Sequence, residues 1–233
     1  MVDLAILVIF ILCILAGHYR GTIYAAINLG VTVLSLLVAL LLIPVASGVV
    51  KNSETLYRSM LYYFEGYEYV SATSVERVHD VAANVSESDL DYLIENADMP
   101  IPLGSAVKRN IQNAAYRERG IVTLGDYFNQ TIVDVIINIL SMLVLFIVLR
   151  VLLEWILRTI DFALDGMPVM NRFDTAFSCG IGFLHGVLLV YVVFMLVPVA
   201  LAVVPRLSTY IDESVFGGFF YRVNPLLYLV PTT

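Results

Sequence analysis

Four long apolar runs constrain the fold of this 233-residue chain more than any other feature. They cover Leu4–Gly17, Thr22–Pro44, Ile132–Leu157 and Ala176–Val204. A helix needs roughly 20 apolar residues to cross the hydrocarbon core of a bilayer, and the last three runs meet that length. Only 14% of the residues are charged, against about a quarter in a soluble domain. The sequence therefore predicts an all-α, polytopic membrane protein with four transmembrane helices and the lipid bilayer as a partner.

The break between the first two runs predicts a helical hairpin. It contains two glycines around a polar tip, and one continuous helix through both runs would be too long for a bilayer. Gly17, Arg20 and Gly21 are the hairpin motif, and residues 1–45 form the hairpin. Asp3 stands where a secretory signal would carry a basic residue. We therefore expect the first run to be retained as a membrane helix and not cleaved.

The central region, residues 46–130, is polar and predicts several short amphipathic helices in place of a disordered linker. Residues that commonly cap helices mark the expected starts: Ser53, Ser86 with Asp89, Ser105, and Thr123 with Asp126. We expect Gly120 to end the helix that starts at Ser105, in a left-handed cap. Pro100 and Pro102 predict a turn before that helix, because proline disfavours helix at the preceding residue.

The remaining chain divides into two parts. Residues 131–205 hold the third and fourth membrane helices, joined by a linker at 158–175. Residues 206–233 form a short tail rich in aromatic side chains, which concentrate at the headgroup layer of membranes. An interfacial tail is the interpretation we favour, with a re-entrant segment as the alternative.

Basic residues in the short loops predict the orientation of the helices. Arg20 lies in the first short loop, and Arg158 and Arg172 lie between the third and fourth runs. Because cytoplasmic loops carry an excess of Lys and Arg, we expect these loops to be cytoplasmic. Both termini and residues 46–130 are then extracytoplasmic.

No set of residues in the sequence has the spacing of a catalytic, cofactor or metal site. The three histidines lie in different segments, and the cysteines Cys13 and Cys179 each sit inside an apolar run. Phosphate-binding, dinucleotide-binding and paired-histidine motifs do not occur. The net charge of −7 argues against nucleic acid as a partner. We expect no enzyme activity, no cofactor and no metal.

The fourth run carries small residues at every fourth position: Ser178, Gly182 and Gly186, which we call the glycine stripe. Such a stripe lets two helix backbones approach closely in a membrane. Packing within the helical bundle is the interpretation we favour. A contact with a second copy of the chain or with a partner protein is the alternative, and the central region is a second candidate surface for such a partner.

Three polar side chains at membrane depth are candidates for function: Asn28, Asp134 and Asn138. Asp134 and Asn138 are four residues apart, so they share a helix face and could bond a common partner. We expect Asp134 to stay hydrated near the membrane surface and to anchor the end of its helix. The alternative is that the three side chains line a polar path in a small transporter or channel subunit.

Two blocks of the chain resemble the colicin V production protein (CvpA) family of bacterial inner-membrane proteins. Asp3 opens a run that ends in a Gly-x-x-Arg-Gly hairpin, and the glycine stripe with His185 is similar to the family's Gly-x-x-x-Gly-x-x-x-Gly run. The central region is longer than the family's usual connection. The resemblance implies a four-helix protein of the bacterial plasma membrane with a role in toxin production and export or in envelope homeostasis. The resemblance implies no reaction. We expect a non-enzymatic membrane scaffold whose central region and glycine stripe bind a partner.

Overall fold

The computed structural model describes residues 2–64, 69, 75–97, 99–160, 174–204 and 206–233. The predicted all-α class is confirmed, and no strand is present in these ranges, where the extended backbone is limited to one bridge between Val81 and Thr123. Four stretches are long and apolar enough to cross a membrane: Val2–Arg20, Thr22–Lys51, Leu124–Leu157 and Thr175–Val203. The chain is a multi-pass membrane protein.

The described residues contain eleven α-helices. In chain order they are α1 (Val2–Arg20), α2 (Thr22–Lys51), α3 (Glu54–Tyr63), α4 (Glu87–Asn96), α5 (Leu103–Gln112), α6 (Leu124–Ile160), α7 (Asp174–Phe194), α8 (Val197–Val203), α9 (Leu207–Asp212), α10 (Val215–Arg222) and α11 (Pro225–Leu229). The four apolar stretches correspond to α1, α2, most of α6, and α7 with α8. The long helices therefore form where the apolar runs predict them.

The predicted hairpin break lies at Gly21, between α1 and α2. Gly21 has a φ of 79°, a left-handed conformation that glycine adopts without steric strain. The second helix is longer than its apolar run, because it continues through Pro44 and ends at Lys51. A proline inside a helix removes one backbone hydrogen bond, and the apolar residues that follow it keep the helix going.

The fourth apolar run is interrupted near Pro198. The helix ends at Phe194 and resumes at Val197, which places Pro198 in the first turn of α8. Proline is tolerated in a first turn because the N–H that it lacks would have no partner there.

The chain divides into two units. The first contains Met1–Ile43, Met142–Phe194 and Ser208–Asn224, and the second contains Pro44–Ser141, Met195–Leu207 and Pro225–Thr233. In the first unit, α1 packs along α7, and α10 packs against both. The Asp3 carboxylate accepts hydrogen bonds from the Ser214 hydroxyl at 2.7 Å and from the Phe216 N–H at 2.9 Å. The start of α1 is therefore fixed to the start of α10.

The second unit has a hydrophobic core built largely from the central region. Its fully buried members are Val78, Ala82, Leu90, Leu93, Val107, Tyr116, Leu124, Tyr127 and Phe128. The core combines α4, α5 and the start of α6 with the turns between them. The central region is therefore a folded module, at least over its described part, and not a loose connection.

Two of the predicted helix caps are present in full. The Ser86 hydroxyl accepts a hydrogen bond from the Asp89 N–H at the start of α4, and the Thr123 hydroxyl accepts one from the Asp126 N–H at the start of α6, each at 3.2 Å. Ser53 precedes α3 as predicted, but its side chain makes no cap hydrogen bond.

The prediction for α5 is wrong at both ends. The helix starts at Leu103, ahead of Ser105, and ends at Gln112. It ends there because Ala114 takes a left-handed conformation with a φ of 49°, and the Ala115 N–H bonds back to the Asn110 carbonyl. Gly120 does have a left-handed φ of 74°, but it closes a single 3₁₀ turn at Arg117–Arg119.

Some predictions fall on residues outside the described ranges. Most of the predicted linker at 158–175, including Arg172, lies there, as does residue 98 in the predicted turn before α5. The tail at 206–233 lies inside them. It folds as the three short helices α9, α10 and α11.

Candidate functional site

The glycine stripe and the hairpin motif meet in one helix crossing between α1 and α7. A Cβ atom added at Gly182 would lie 2.5 Å from the Cys13 carbonyl oxygen and 3.1 Å from the Ile14 Cα. One added at Gly17 would collide with the Ser178 carbonyl. Backbone atoms cannot yield as side chains do, so both positions require the absence of a side chain. The two motifs, which the sequence places far apart, are the two sides of an antiparallel contact.

The remaining small residues of α7 differ in their surroundings. A Cβ atom added at Gly186 would lie 2.9 Å from the Phe10 ring, so this end of the crossing is closed by a side chain. Gly180 has no atom within 4 Å of its Cβ position among the described residues. The stripe is therefore occupied by α1 along its length, and Gly180 lies outside the contact.

A polar cluster lies among the membrane helices of the first unit. We call it the membrane polar cluster, and it contains Asn28 and Thr32 of α2, Arg150 of α6 and His185 of α7. Asn28 Nδ2 is 3.1 Å from His185 Nδ1, and Thr32 Oγ1 is 3.0 Å from His185 Nε2. Arg150 donates a hydrogen bond to Asn28 Oδ1. Three helices are thus joined through the side chain of Asn28.

The hydrogen-bond polarity of this cluster assigns the histidine tautomer. Because Asn28 Oδ1 accepts from Arg150, the amide nitrogen Nδ2 faces His185, and an amide nitrogen can only donate. His185 Nδ1 is therefore the acceptor, and Nε2 carries the hydrogen. Nε2–H then donates to Thr32 Oγ1, whose own hydroxyl donates to the Asn28 carbonyl at 2.9 Å. With a neutral His185 imidazole, each donor in these hydrogen bonds has a matching acceptor.

Asp134 lies in the second unit with two cations beside it. Its side chain is 0% exposed, with Lys51 Nζ 3.5 Å from one carboxylate oxygen and an Arg119 guanidinium nitrogen 3.8 Å from the other. The Lys51 side chain is 16% exposed and that of Arg119 is 58% exposed. We call these three residues the carboxylate cluster. The attraction of Asp134 to Lys51 is stronger than its attraction to Arg119, because the greater burial of Lys51 reduces the screening by solvent.

The expectation that Asp134 stays hydrated is wrong. The sequence indicates only how deep a residue lies in a bilayer, whereas in the structure the Asp134 side chain is buried by the protein itself, with Lys51 and Arg119 beside it. The burial also affects Tyr57, which lies near Asp134 and outside the membrane-spanning stretches. Burial, and then the charge of Asp134, raises the pKa of Tyr57 to about 12. The same two causes raise the pKa of Tyr116 above its ordinary value.

Asn138 faces a different partner from Asp134, although both lie on the same side of α6. Its amide nitrogen donates to the Pro231 carbonyl at 2.9 Å and to the Thr233 carbonyl at 3.3 Å. The two residues therefore share a helix face, but they have no common hydrogen-bond partner among the described residues. Asn28 belongs to the membrane polar cluster of the first unit, with Arg150 and His185 as its partners.

Asn110 and Tyr116 also bind the tail, and neither was predicted. Asn110 Nδ2 donates to the Thr232 carbonyl at 2.8 Å, and the Tyr116 hydroxyl donates to the same oxygen at 3.3 Å. The Thr232 hydroxyl returns a bond to Asn110 Oδ1 at 3.0 Å. We call the buried residues that hold this segment the tail slot: Asn110, Tyr116, Thr131 and Asn138. No sequence motif marks them.

Within the described ranges, no group of His, Cys, Asp and Glu side chains is placed to hold a metal ion. Comparison with protein-family models, curated proteins and solved structures finds no match to this chain. The features that bear on function are therefore the folded central region, the two polar clusters and the tail slot.

Proposed function

We propose that this protein is a non-enzymatic scaffold of the bacterial plasma membrane, and that it binds a partner protein through the central region. The resemblance to the CvpA family supplies the context, which is toxin or bacteriocin production and export or envelope homeostasis. Residues 46–130 and both termini are extracytoplasmic in this proposal, with Arg20 and Arg172 in the cytoplasm. An impermeant thiol reagent should then label a cysteine introduced at Ser88 from outside the cell.

The single observation that carries the proposal is the hydrophobic core of the central region. A connection between membrane helices needs no core of its own, whereas a surface that recognises a partner must be rigid to keep its shape. The glycine stripe of the fourth run is occupied by α1. This leaves the central region as the surface that supports partner binding best.

The exposed face of α4 is the part of the central region that we propose for contact. Tyr92 is 62% exposed there, three residues before the exposed acidic residue Glu95. Its other acidic neighbour, Asp91, is paired with Lys108 at 2.7 Å. Exposed tyrosines are enriched at the energetic centres of protein interfaces, and residues 46–130 carry more acidic than basic side chains. The partner surface should accordingly be basic.

Partner capture from native membranes in mild detergent tests this proposal. Tyr92→Ala should reduce the captured amount of a specific partner at least about fivefold, because truncating an interface hot spot costs roughly 1 kcal/mol or more. Tyr210→Ala is the matched control, since Tyr210 is also 62% exposed and lies in α9. Equal capture by the two variants and by the wild type would reject the central region as the binding surface.

The alternative function, a small transporter or channel subunit, has one observation in its favour. Asp134 is a fully buried carboxylate within an apolar stretch long enough to span a membrane, and such residues often mark ion pathways. Against it, Asn28 is bonded within the first unit, and Asp134 and Asn138 have separate partners in the second. The three side chains do not share one set of contacts.

A further inference from the structure

The tail slot binds its occupant mainly through hydrogen bonds to the peptide backbone. Five side-chain hydrogen bonds join the slot to Pro231, Thr232 and Thr233, and four of them end on the carbonyl oxygens of these consecutive residues. Carbonyl groups are common to every peptide, so this set of donors does not depend on the identity of the side chains. Only the Thr232 hydroxyl, bonded to Asn110, adds a requirement for a particular residue type.

The slot itself is more firmly fixed than its occupant. Asn110, Tyr116, Thr131 and Asn138 are each at most 2% exposed, and Asn110 Nδ2 is also 3.1 Å from both the Tyr116 hydroxyl and Thr131 Oγ1. Residues 231–233 have no helical or strand structure, and Thr233 is exposed. The two hydrogens of Asn110 Nδ2 are shared among these two oxygens and the Thr232 carbonyl. Contacts within the slot therefore orient Asn110 before a peptide arrives, which lowers the entropy that peptide binding must overcome.

We propose that the tail slot is a peptide-binding site, and that residues 231–233 occupy it in competition with a segment of a partner protein. The segment that fits is extended and uncharged, presents consecutive carbonyls, and carries a threonine or serine at the position of Thr232. The inference rests on the proposed scaffold function, for which it names a second point of contact. Displacement of the tail by the partner segment exchanges one set of hydrogen bonds for an equivalent set.

A tethered occupant has an effective concentration in the millimolar range or above, so a free peptide competes weakly with it. A substitution in the slot would lower its affinity for the tail and for the free peptide alike, so the balance between the two would not change. The informative changes are therefore in the two competitors. Thr232→Ala removes the hydroxyl bond to Asn110 from the tail and keeps all of its carbonyls. The same replacement in the peptide removes that bond from the competitor.

The probe is a fluorescein-labelled peptide with the sequence of residues 229–233, and its anisotropy is measured against the full-length purified protein in nanodiscs. The Thr232→Ala protein should bind it about fivefold more tightly than the wild type, the factor expected for one neutral hydrogen bond. A peptide with alanine at its fourth position, which corresponds to Thr232, should bind either protein about fivefold more weakly. Thr55→Ala, an exposed threonine of α3, should bind like the wild type.

Equal affinity of the wild type and Thr232→Ala for the peptide would overturn the proposal, and so would an absence of binding to both. A control peptide has the same five residues in scrambled order. Equal binding of this scrambled peptide would also overturn the proposal, since that result indicates partition into lipid. The purified protein contains no partner, so this assay is independent of the capture experiment. If the peptide binds as expected while Tyr92→Ala captures as much partner as the wild type, the contact surface on α4 is rejected. The tail slot then stands as a peptide-binding site.

Discussion

The two units satisfy the polar side chains of their long helices in different ways. In the first unit, Asn28, Thr32 and His185 are joined by matched donors and acceptors, with Arg150 as the one charged member of the cluster. In the second unit, Asp134 is balanced by two cations, Lys51 at the end of α2 and Arg119 in the central region.

The two clusters therefore depend on different parts of the structure. The membrane polar cluster needs only that α2, α6 and α7 pack at the right depth, because all of its members are on those helices. The carboxylate cluster needs the central region to be folded, because Arg119 and Tyr57, which both interact with Asp134, belong to that region. Substitutions in the first unit should therefore act through helix packing, and substitutions at Asp134 should act on the central region.

Asp134→Asn should have the largest effect of the changes considered. It leaves the half-buried Lys51 without its closest counter-charge, and removing one partner of a buried ion pair costs about 3 kcal/mol. The free energy of unfolding in detergent measures this loss, with Glu95→Gln as the exposed control. Adding Lys51→Gln to Asp134→Asn should recover part of the loss.

Strictly additive losses in the double variant would contradict the pairing of Lys51 with Asp134. The single variant Asp134→Asn also tests the transporter alternative. A proton or cation flux in proteoliposomes that is present in the wild type, and abolished in Asp134→Asn at unchanged folding, would favour that alternative over the scaffold. We expect no flux in either protein.

Gly182→Leu should have the second-largest effect and should act within the first unit. The new side chain would meet the backbone of Cys13 and Ile14, so α1 and α7 must separate, at a cost of about 2 to 3 kcal/mol. Gly180→Leu is the matched control, because the same residue type two positions away has open space at its Cβ. Thermal stability in detergent should fall for Gly182→Leu and stay unchanged for Gly180→Leu. Equal stability of both variants would show that α1 does not pack on the stripe.

The sequence predicts the elements that local patterns encode. Apolar runs mark the long helices, Gly21 marks the hairpin break, and Ser86 and Thr123 mark two helix starts, because each signal lies within a few residues of the feature it produces. The end of α5 escapes this reasoning because an alanine, Ala114, takes the left-handed conformation that usually requires glycine or asparagine.

The tail slot and the burial of Asp134 could not be predicted for a different reason. Asn110 and Thr232 are 122 positions apart, and no periodicity links residues at that distance. Asp134 has the sequence context of a helix entering a membrane, and its burial by the protein appears only in the folded structure. Both features depend on long-range packing, which a single sequence does not display.

The smallest effect we predict isolates the hydrogen bond between Thr32 and His185. Thr32 and Ser35 are both buried in α2, and each donates its hydroxyl to the carbonyl four residues earlier. Only Thr32 also accepts from His185. Thr32→Val keeps the side-chain shape but leaves the partly buried Nε2–H of His185 without this acceptor, so it should lower the free energy of unfolding by about 1 kcal/mol more than Ser35→Ala does. Ring ¹⁵N chemical shifts of His185 should show the Nε2–H tautomer in the wild type. A predominant Nδ1–H tautomer there, with equal losses for the two variants, would show that neutral donor and acceptor matching does not hold the first unit's cluster together.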